Sequence, residues 1–173
     1  MNAVGDPKKQ RKKYETPRHP WRRGQIADEL KLIGDYGLRN KRELWRYRTE
    51  VSRIRGMARS LLAKTEEDRS RTEKDILQSL IKLGVLSEDA TIDDVLDLNV
   101  TNILDRRLQT IVAKSGMAKS MHHARQLVSH GHVYVGERLV TVPGYMVKRD
   151  EQTNISLAAP GASAQPTSAK KAR

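Results

Sequence analysis

The protein has 173 residues, of which 37% are hydrophobic and 31% charged, and it contains no cysteine. The lack of cysteine excludes a disulfide scaffold and a cysteine-ligated zinc site, and no stretch reaches the ~20 consecutive apolar residues of a transmembrane helix. The net charge is +12, so we expect a soluble intracellular protein with a polyanionic partner. The basic N-terminal run has no apolar segment behind it, which is not typical of a secretory signal.

The charge is segregated along the chain. The net charge is +9 over residues 1–55, −5 over 56–105, +5 over 106–157 and +3 from 158 onward. A positive excess costs self-repulsion that a polyanion relieves, so we interpret the two large basic blocks as binding surfaces. The alternative is that they are ordinary solvated faces.

Residues 1–21 are predicted to form a basic, extended arm, because prolines and a run of lysine and arginine leave little apolar material for a core. Tyr14 and Trp21 are candidates for stacking on unpaired bases. The alternative for Trp21 is packing beneath the arm, and Trp45 is more typical of a core or edge position.

Residues 22–104 are predicted to form a helical domain, because apolar residues recur at helical spacing. The first helix has Ile26, Leu30 and Ile33 on one face. The longest helix has an apolar stripe made of Leu44, Tyr47, Val51, Ile54, Ala58 and Leu61. The predicted helices are 22–37, 41–64, 70–82, a short helix capped by Thr91, and a helix capped by Thr101 that continues over 104–115.

Residues 105–157 are predicted to form a second, smaller domain, followed by a disordered basic tail at 158–173. Ser120 is the predicted N-cap of a helix over 120–130. A β-hairpin follows, with Gly136–Glu137 in a type II′ turn. The predicted strands are 132–135, 138–140, 145–147 and 154–157.

The helix over 120–130 is the strongest candidate for phosphate binding. Its N-terminus offers unpaired N–H groups and a partial positive charge, and Lys119 and Ser120 lie at that end. Arg125 supplies a planar fork for bidentate contact with a phosphate. The alternative is an ordinary amphipathic helix with a mixed polar face.

Residues 106–157 resemble the small RNA-binding domain first described in ribosomal protein four, also called the alpha-L motif. The resemblance is carried by Arg107–Leu108, Gly116, the segment 118–125, Gly131–Val133, Val140, Pro143 and Tyr145. Four earlier segments resemble the N-terminal half of the archaeal and eukaryotic branch of the small-subunit ribosomal protein four family: 5–8, 14–17, 19–21 and 36–45. Bacterial members commonly have Asn-Gly in the first hairpin, where this chain has Gly136–Glu137.

The resemblance implies an α+β protein, with a mostly helical N-terminal part and an alpha-L domain of two helices packed on a short, mainly antiparallel sheet. It implies a structural constituent of the small ribosomal subunit that binds the rRNA early, nucleates assembly of the subunit body near the mRNA entry side and contributes to translational accuracy. The implied partners are small-subunit rRNA, ribosomal proteins three, five and twelve, and mRNA at the entry channel. No cofactor, membrane partner or homo-oligomer is expected, and the expected location is the cytoplasm.

The candidate RNA-binding residues have cationic or hydrogen-bonding side chains in a basic block or on the polar face of a predicted helix. They are Lys8, Lys9, Arg11, Lys12, Lys13, Arg22, Arg23, Arg42, Arg46, Arg53, Arg106, Arg107, Lys114, Lys119, Ser120, His122, His123, Arg125, Gln126 and His130.

No catalytic constellation is predicted, and the acidic middle of the chain is expected to cap helices or pair with basic segments. The adjacent His122 and His123 point about 100° apart on a helix, so no metal site is expected. Two other function classes stay open. One is an RNA-modifying enzyme or stress RNA-binding protein with the same domain, and the other is a DNA-binding helix-turn-helix protein.

Overall fold

The computed structural model describes residues 12–63 and 66–157, and it describes only the backbone of residues 66–71. Four predictions lie outside these residues: Lys8, Lys9, Arg11 and the tail at 158–173. The described part of the arm, up to residue 22, forms neither helix nor strand.

The N-terminal part of the described chain is built from helices. They are α1 (Arg23–Asp35), α2 (Lys41–Leu62), α3 (Glu66–Lys82), α4 (Ile92–Leu96) and α5 (Val100–Asp105). The side chain of Asn40 starts α2, because it accepts a hydrogen bond from the Glu43 N–H at 3.0 Å. Thr91 is the N-cap of α4, as predicted.

The long helix α2 organises this part and contacts each of α1, α3, α4 and α5. Its predicted apolar stripe is confirmed, since Leu44, Val51, Ile54, Ala58 and Leu61 are buried and Tyr47 is half-buried. The core that α2 shares with α3, α4 and α5 fixes the helix, so its opposite face is presented to solvent.

The stripe predicted for α1 is wrong at Leu30, which is 57% exposed, whereas the preceding Glu29 is 1% exposed. The helix is turned so that a carboxylate faces α2. Arg48 Nη1 lies 2.7 Å from Glu29 Oε1, Lys41 Nζ lies 3.3 Å from Oε2, and the indole of Trp45 donates to Oε1 at 3.1 Å. A buried charge with this set of partners is satisfied, which apolar periodicity could not anticipate.

The single helix predicted over 104–115 is wrong, because the chain breaks between α5 and α6 (Leu108–Lys114). The N–H of Leu108 donates to the Tyr145 carbonyl at 2.8 Å, and the N–H of Val147 donates to the Arg106 carbonyl at 3.0 Å. These bonds to a distant segment replace helical ones. The N-cap of α5 is Asn99, and Thr101, the predicted cap, lies inside the helix.

The strand predicted over 145–147 is also wrong, since it reduces to one antiparallel bridge between Met146 and Arg107. The same segment supplies the backbone groups that interrupt the predicted helix. The pairing of residues 145–147 with residues 106–108 therefore explains why both the long helix and the strand were wrongly predicted.

The C-terminal part packs two helices on a small antiparallel sheet. After α6 come α7 (Met121–Ser129), β1 (Val133–Val135), β2 (Arg138–Leu139) and β3 (Ile155–Leu157), with strand order β2-β1-β3. Its core includes Leu108, Val112, Ala124, Val128 and Val133.

The hairpin between β1 and β2 has the predicted turn. Val135 pairs with Arg138, which leaves two residues in the loop. The φ of Gly136 is +61° and Glu137 has no positive φ, which are the signs of a type II′ turn. The architecture is α+β, as predicted. Among the described residues, no helix is both long and apolar enough to cross a lipid bilayer.

Candidate nucleic-acid interface

Two side chains order the N-terminus of α7 and the residue before it. Ser120 Oγ accepts a hydrogen bond from the His123 N–H at 3.1 Å, so Ser120 is the N-cap, as predicted. His123 Nδ1 in turn accepts a hydrogen bond from the Lys119 N–H at 3.2 Å. The Nδ1 of His123 is therefore an acceptor, and the ring orders the loop that presents Lys119 rather than facing solvent freely.

The polar side of α7 is open to solvent. His122, Gln126, Ser129 and His130 are exposed, and they fall on one side of the helix within about 100° of one another. The rings of His130 and His132 stack with their centroids 6.5 Å apart. Together with the exposed Lys119, these side chains form a surface of hydrogen-bonding and cationic groups, which we call the α7 face.

Arg125 does not belong to the α7 face, contrary to the expectation of a free phosphate ligand. Its guanidinium forms a bidentate pair with Glu43 of α2, with Nη2 2.8 Å from Oε1 and Nη1 3.2 Å from Oε2. The fork that was predicted to bind phosphate therefore binds a carboxylate of the N-terminal part.

Arg107 is also withdrawn from solvent, with 2% exposure. Its Nη2 lies 3.4 Å from Glu43 Oε2, and its guanidinium lies 5.2 Å from the centre of the Tyr47 ring. Burial by itself raises the pKa of Glu43, but the hydrogen bond and charge of Arg125 and the charge of Arg107 outweigh it and hold the pKa below its usual value. Glu43, Arg107 and Arg125 form what we call the Glu43 cluster.

Arg106 and Lys114 also form hydrogen bonds or ion pairs within the protein. Arg106 Nη1 donates to Gln152 Oε1 at 2.8 Å, and Nη2 donates to the Val147 carbonyl at 3.2 Å. Burial, and then the charge of Arg149, lower the pKa of Arg106.

Lys114 keeps about half of its side chain exposed but pairs with Asp105. Its Nζ lies 2.9 Å from Asp105 Oδ1, which also accepts a hydrogen bond from the Tyr36 hydroxyl at 2.9 Å. Burial and the Asp105 hydrogen bond raise the pKa of Tyr36 to about 12, so the phenol keeps its proton and its hydrogen bond over the physiological range.

A second cationic surface lies on α2. Arg42, Arg46 and Arg53 are exposed and fall within about 40° of one another around the helix, on the side away from its apolar stripe. Arg53 pairs with Glu50 at 3.0 Å, but an exposed pair of this kind contributes little and is easily exchanged. We call these three side chains the α2 face.

Cationic side chains of the described part of the arm and of the start of α1 are also exposed. Lys12, Lys13, Arg22 and Arg23 face solvent, and Lys12 Nζ lies 4.8 Å from the centre of the Tyr14 ring. Tyr14 packs near Trp45, with ring centroids 6.0 Å apart. These two aromatic side chains therefore contact each other within the protein, and the half-buried Trp45 agrees with the core or edge position predicted for it.

Three residues that position the α7 face were missed by sequence reasoning: Glu43, Gln109 and Gly37. The buried amide of Gln109 donates to the carbonyls of Gly37 at 3.1 Å and Met121 at 3.0 Å. Gly37 was predicted as the end of the first helix and lies in the family-like segment 36–45, but it was not assigned to the site. Its φ of +55° and its contact with Gln109 are tertiary properties that leave no periodic signal. His132 of the α7 face was also missed.

Among the described residues, no group of three or more histidine, cysteine, aspartate or glutamate side chains is arranged to hold a metal ion. The chemistry that these surfaces offer is the binding of anions and of hydrogen-bonding edges, by cations and imidazoles on an ordered scaffold.

Two family models match the chain in succession. The model described as the S4 domain matches residues 106–152, and the model described as the ribosomal protein S4/S9 N-terminal domain matches residues 8–105.

Curated relatives match over nearly the same extent. One from Ignicoccus hospitalis, named small ribosomal subunit protein uS4, is 52% identical over 155 residues, which are 90% of this chain and 93% of the relative. Relatives of the same name from Hyperthermus butylicus and Sulfurisphaera tokodaii are 51% and 53% identical, over 90% and 86% of this chain and 88% and 85% of their own lengths. Because the likeness runs through both matched regions, the chain belongs to the ribosomal protein S4 family, as the sequence resemblance predicted.

Proposed function

We propose that the protein is a structural constituent of the small ribosomal subunit and binds the rRNA of that subunit directly. The observation that carries the proposal is the identity of about half of all residues, along nearly the whole chain, with relatives named small ribosomal subunit protein uS4. The segregation of positive charge supports it, because phosphate neutralisation supplies much of the affinity for RNA.

The proposed RNA contacts come from three exposed surfaces. The α7 face supplies Lys119 and the exposed imidazoles and amide, the α2 face supplies its three arginines, and the arm supplies lysine and arginine at the start of α1. Lys8, Lys9 and Arg11 are assigned to the arm contacts from the sequence alone. Arg107 and Arg125 are left out, because Glu43 already pairs with both guanidinium groups.

The finer role is also proposed. An early binder of rRNA would nucleate the subunit body, near the mRNA entry side, beside ribosomal proteins three and five, and would influence accuracy together with protein twelve. A non-catalytic role accords with this function, as does a cytoplasmic location within the subunit. Each of these assignments comes from family membership rather than from a contact within the chain.

Sedimentation of a native lysate tests the main proposal. We expect the protein to migrate with small subunits in a sucrose gradient and to remain there at moderate salt. Recovery only in light, ribosome-free fractions would contradict it. The full chain with His122→Ala, Gln126→Ala and His130→Ala together should be retained less well, whereas Lys74→Ala, an exposed lysine of α3, serves as the matched control.

Purified protein separates the remaining classes of function. Structured small-subunit rRNA should bind more tightly than duplex DNA at equal salt, and the reverse order would favour a helix-turn-helix protein. Turnover of an RNA base by the purified protein would favour a modifying enzyme.

A further inference from the structure

Trp21 is the most exposed large hydrophobic side chain among the described residues, at 87%. The two other aromatic residues of this region behave differently, since Tyr14 lies near Trp45 and the Trp45 indole donates to Glu29. Packing of Trp21 beneath the arm is therefore excluded for the described residues. An indole left in water costs free energy, which a binding partner would recover.

The surroundings of Trp21 are cationic. Arg18, Arg22 and Arg23 are exposed, and none of them forms an ion pair within the described part of the chain. Arg22 is the N-cap of α1, where no side chain caps the helix and no acidic residue lies in the first turn. A segment of a few consecutive residues thus carries an exposed aromatic ring, guanidinium groups without an ion pair and the uncapped N-terminus of α1.

This combination matches a nucleotide better than a protein surface. A protein partner needs a contiguous apolar patch, and the next exposed large hydrophobic along the chain, Leu30, lies about two turns into α1. A nucleotide of a single strand presents a base for stacking and a phosphate for the guanidinium groups. Base–aromatic stacking beside cations is the common means of holding unpaired strands.

We propose that Trp21 stacks on an unpaired nucleobase of RNA, while Arg22 and Arg23 contact the phosphates of the same strand. The proposal rests on the proposed rRNA-binding function and adds a single-strand contact, at the start of α1, to the surfaces on α2 and α7. The contact is indifferent to base identity, because every base has a face on which an indole can stack.

The test uses the full chain with two probes, a single-stranded oligoadenylate and the duplex that the same strand forms with oligouridylate. Binding is followed by tryptophan fluorescence and by a competition assay that does not depend on the tryptophan. Trp21→Ala should weaken binding of the single strand by roughly 5- to 150-fold and binding of the duplex much less. Trp21→Phe should keep most of the affinity, whereas Trp21→Leu should behave like Trp21→Ala, because leucine is apolar but has no aromatic face.

Equal melting temperatures for all variants are expected, because the ring is exposed. If Trp21→Ala and Trp21→Leu bind the single strand as tightly as the parent chain, the proposal is overturned. If RNA binding is unchanged but Trp21→Ala is lost from reconstituted small subunits, the ring contacts a protein, and the proposal is likewise overturned. Loss of structured rRNA binding in His122→Ala, Gln126→Ala and His130→Ala, with no effect of Trp21→Ala, would leave the rRNA-binding function standing and reject only the stacking site.

Discussion

At the scale of single residues, Glu43 has the largest predicted effect on stability, because its one carboxylate is the shared partner of two guanidinium groups. Glu43→Gln should lower the free energy of unfolding by about 3 kcal/mol, since it leaves the buried Arg107 without a counter-charge. The measurement is urea unfolding at neutral pH. Glu50→Gln is the matched control, because its pair with Arg53 is exposed and should change stability by less than ~1 kcal/mol. Equal losses of unfolding free energy in the two variants would contradict the role of Glu43 as the counter-charge of the buried Arg107.

The same carboxylate gives a pH dependence with a defined sign. The pKa of Glu43 is lowered in the folded protein from its ordinary value of 4.5, so its stabilising contribution is complete above that pH and is lost as the pH falls through the folded pKa. The stability difference between the parent chain and Glu43→Gln should therefore shrink as the pH is taken below 4.5. The comparison cancels the similar effect of Glu29, whose pKa is also lowered. A difference that grows on acidification would reverse the sign and reject this account.

At the scale of elements, we expect alanine substitution at two glycines to have opposite effects on the stability of the protein. A Cβ at Gly37 would lie 2.9 Å from both Gln109 Nε2 and Met121 Cβ, at a φ of +55°. Gly37→Ala should therefore cost about 1–3 kcal/mol. Gly56 lies inside α2, and a Cβ there meets nothing within 4 Å, so Gly56→Ala should stabilise by about 0.5–1 kcal/mol. Thermal unfolding of both variants tests the pair, and a stabilising Gly37→Ala would contradict the close packing of Gly37 against Gln109 and Met121.

The elements also show how far sequence periodicity reaches. The stripe of α2 and the cap of α7 were predictable, because each depends on residues close in sequence. The orientation of α1 was not, because the two cations that pair with the buried Glu29, Lys41 and Arg48, lie on another helix. The break between α5 and α6 was missed for the same physical reason, since Tyr145 and Val147 compete for the backbone of that segment. Local sequence patterns predict hydrogen bonds between residues close in sequence. Where a long-range hydrogen bond takes the same backbone group, the local prediction fails.

In the candidate site too, the features set by local sequence were predictable and those set by long-range contacts were not. Charge and helical position predicted the exposure of Arg42, Gln126 and His130, which requires only that a side chain avoid the apolar stripe. Arg125 borders the apolar stripe of α7, about 90° from its centre, whereas Gln126 and His130 lie about 170° and 130° away. Its charge alone favoured phosphate binding, and only the position of Glu43, 82 residues earlier, makes Arg125 the partner of a carboxylate on α2.

At the scale of the whole molecule, contacts within the protein join the two regions that the two family models match separately. The Glu43 cluster joins α2 to α7, and Gln109 of α6 binds the loop between α1 and α2. Because both contacts act on elements that carry cationic residues, they fix the α2 face relative to the α7 face. RNA then meets a surface that is already arranged, which lowers the entropic cost of binding.

Counterion release gives a prediction for this arranged surface as a whole. If six to ten phosphates are contacted, affinity for structured rRNA should fall roughly 10³–10⁵-fold between 50 and 200 mM salt. Arg42→Ala should reduce the slope of log affinity against log salt by about 0.7–0.9, if Arg42 makes the one phosphate contact proposed for it. Arg125→Ala should lower stability but leave the slope unchanged, because its guanidinium is engaged in a bidentate pair with Glu43 and is not free to contact a phosphate. A smaller slope for a folded Arg125→Ala variant would mean that RNA displaces Glu43 from Arg125 on binding, and a slope near zero for the parent chain would reject phosphate contact as the main source of affinity.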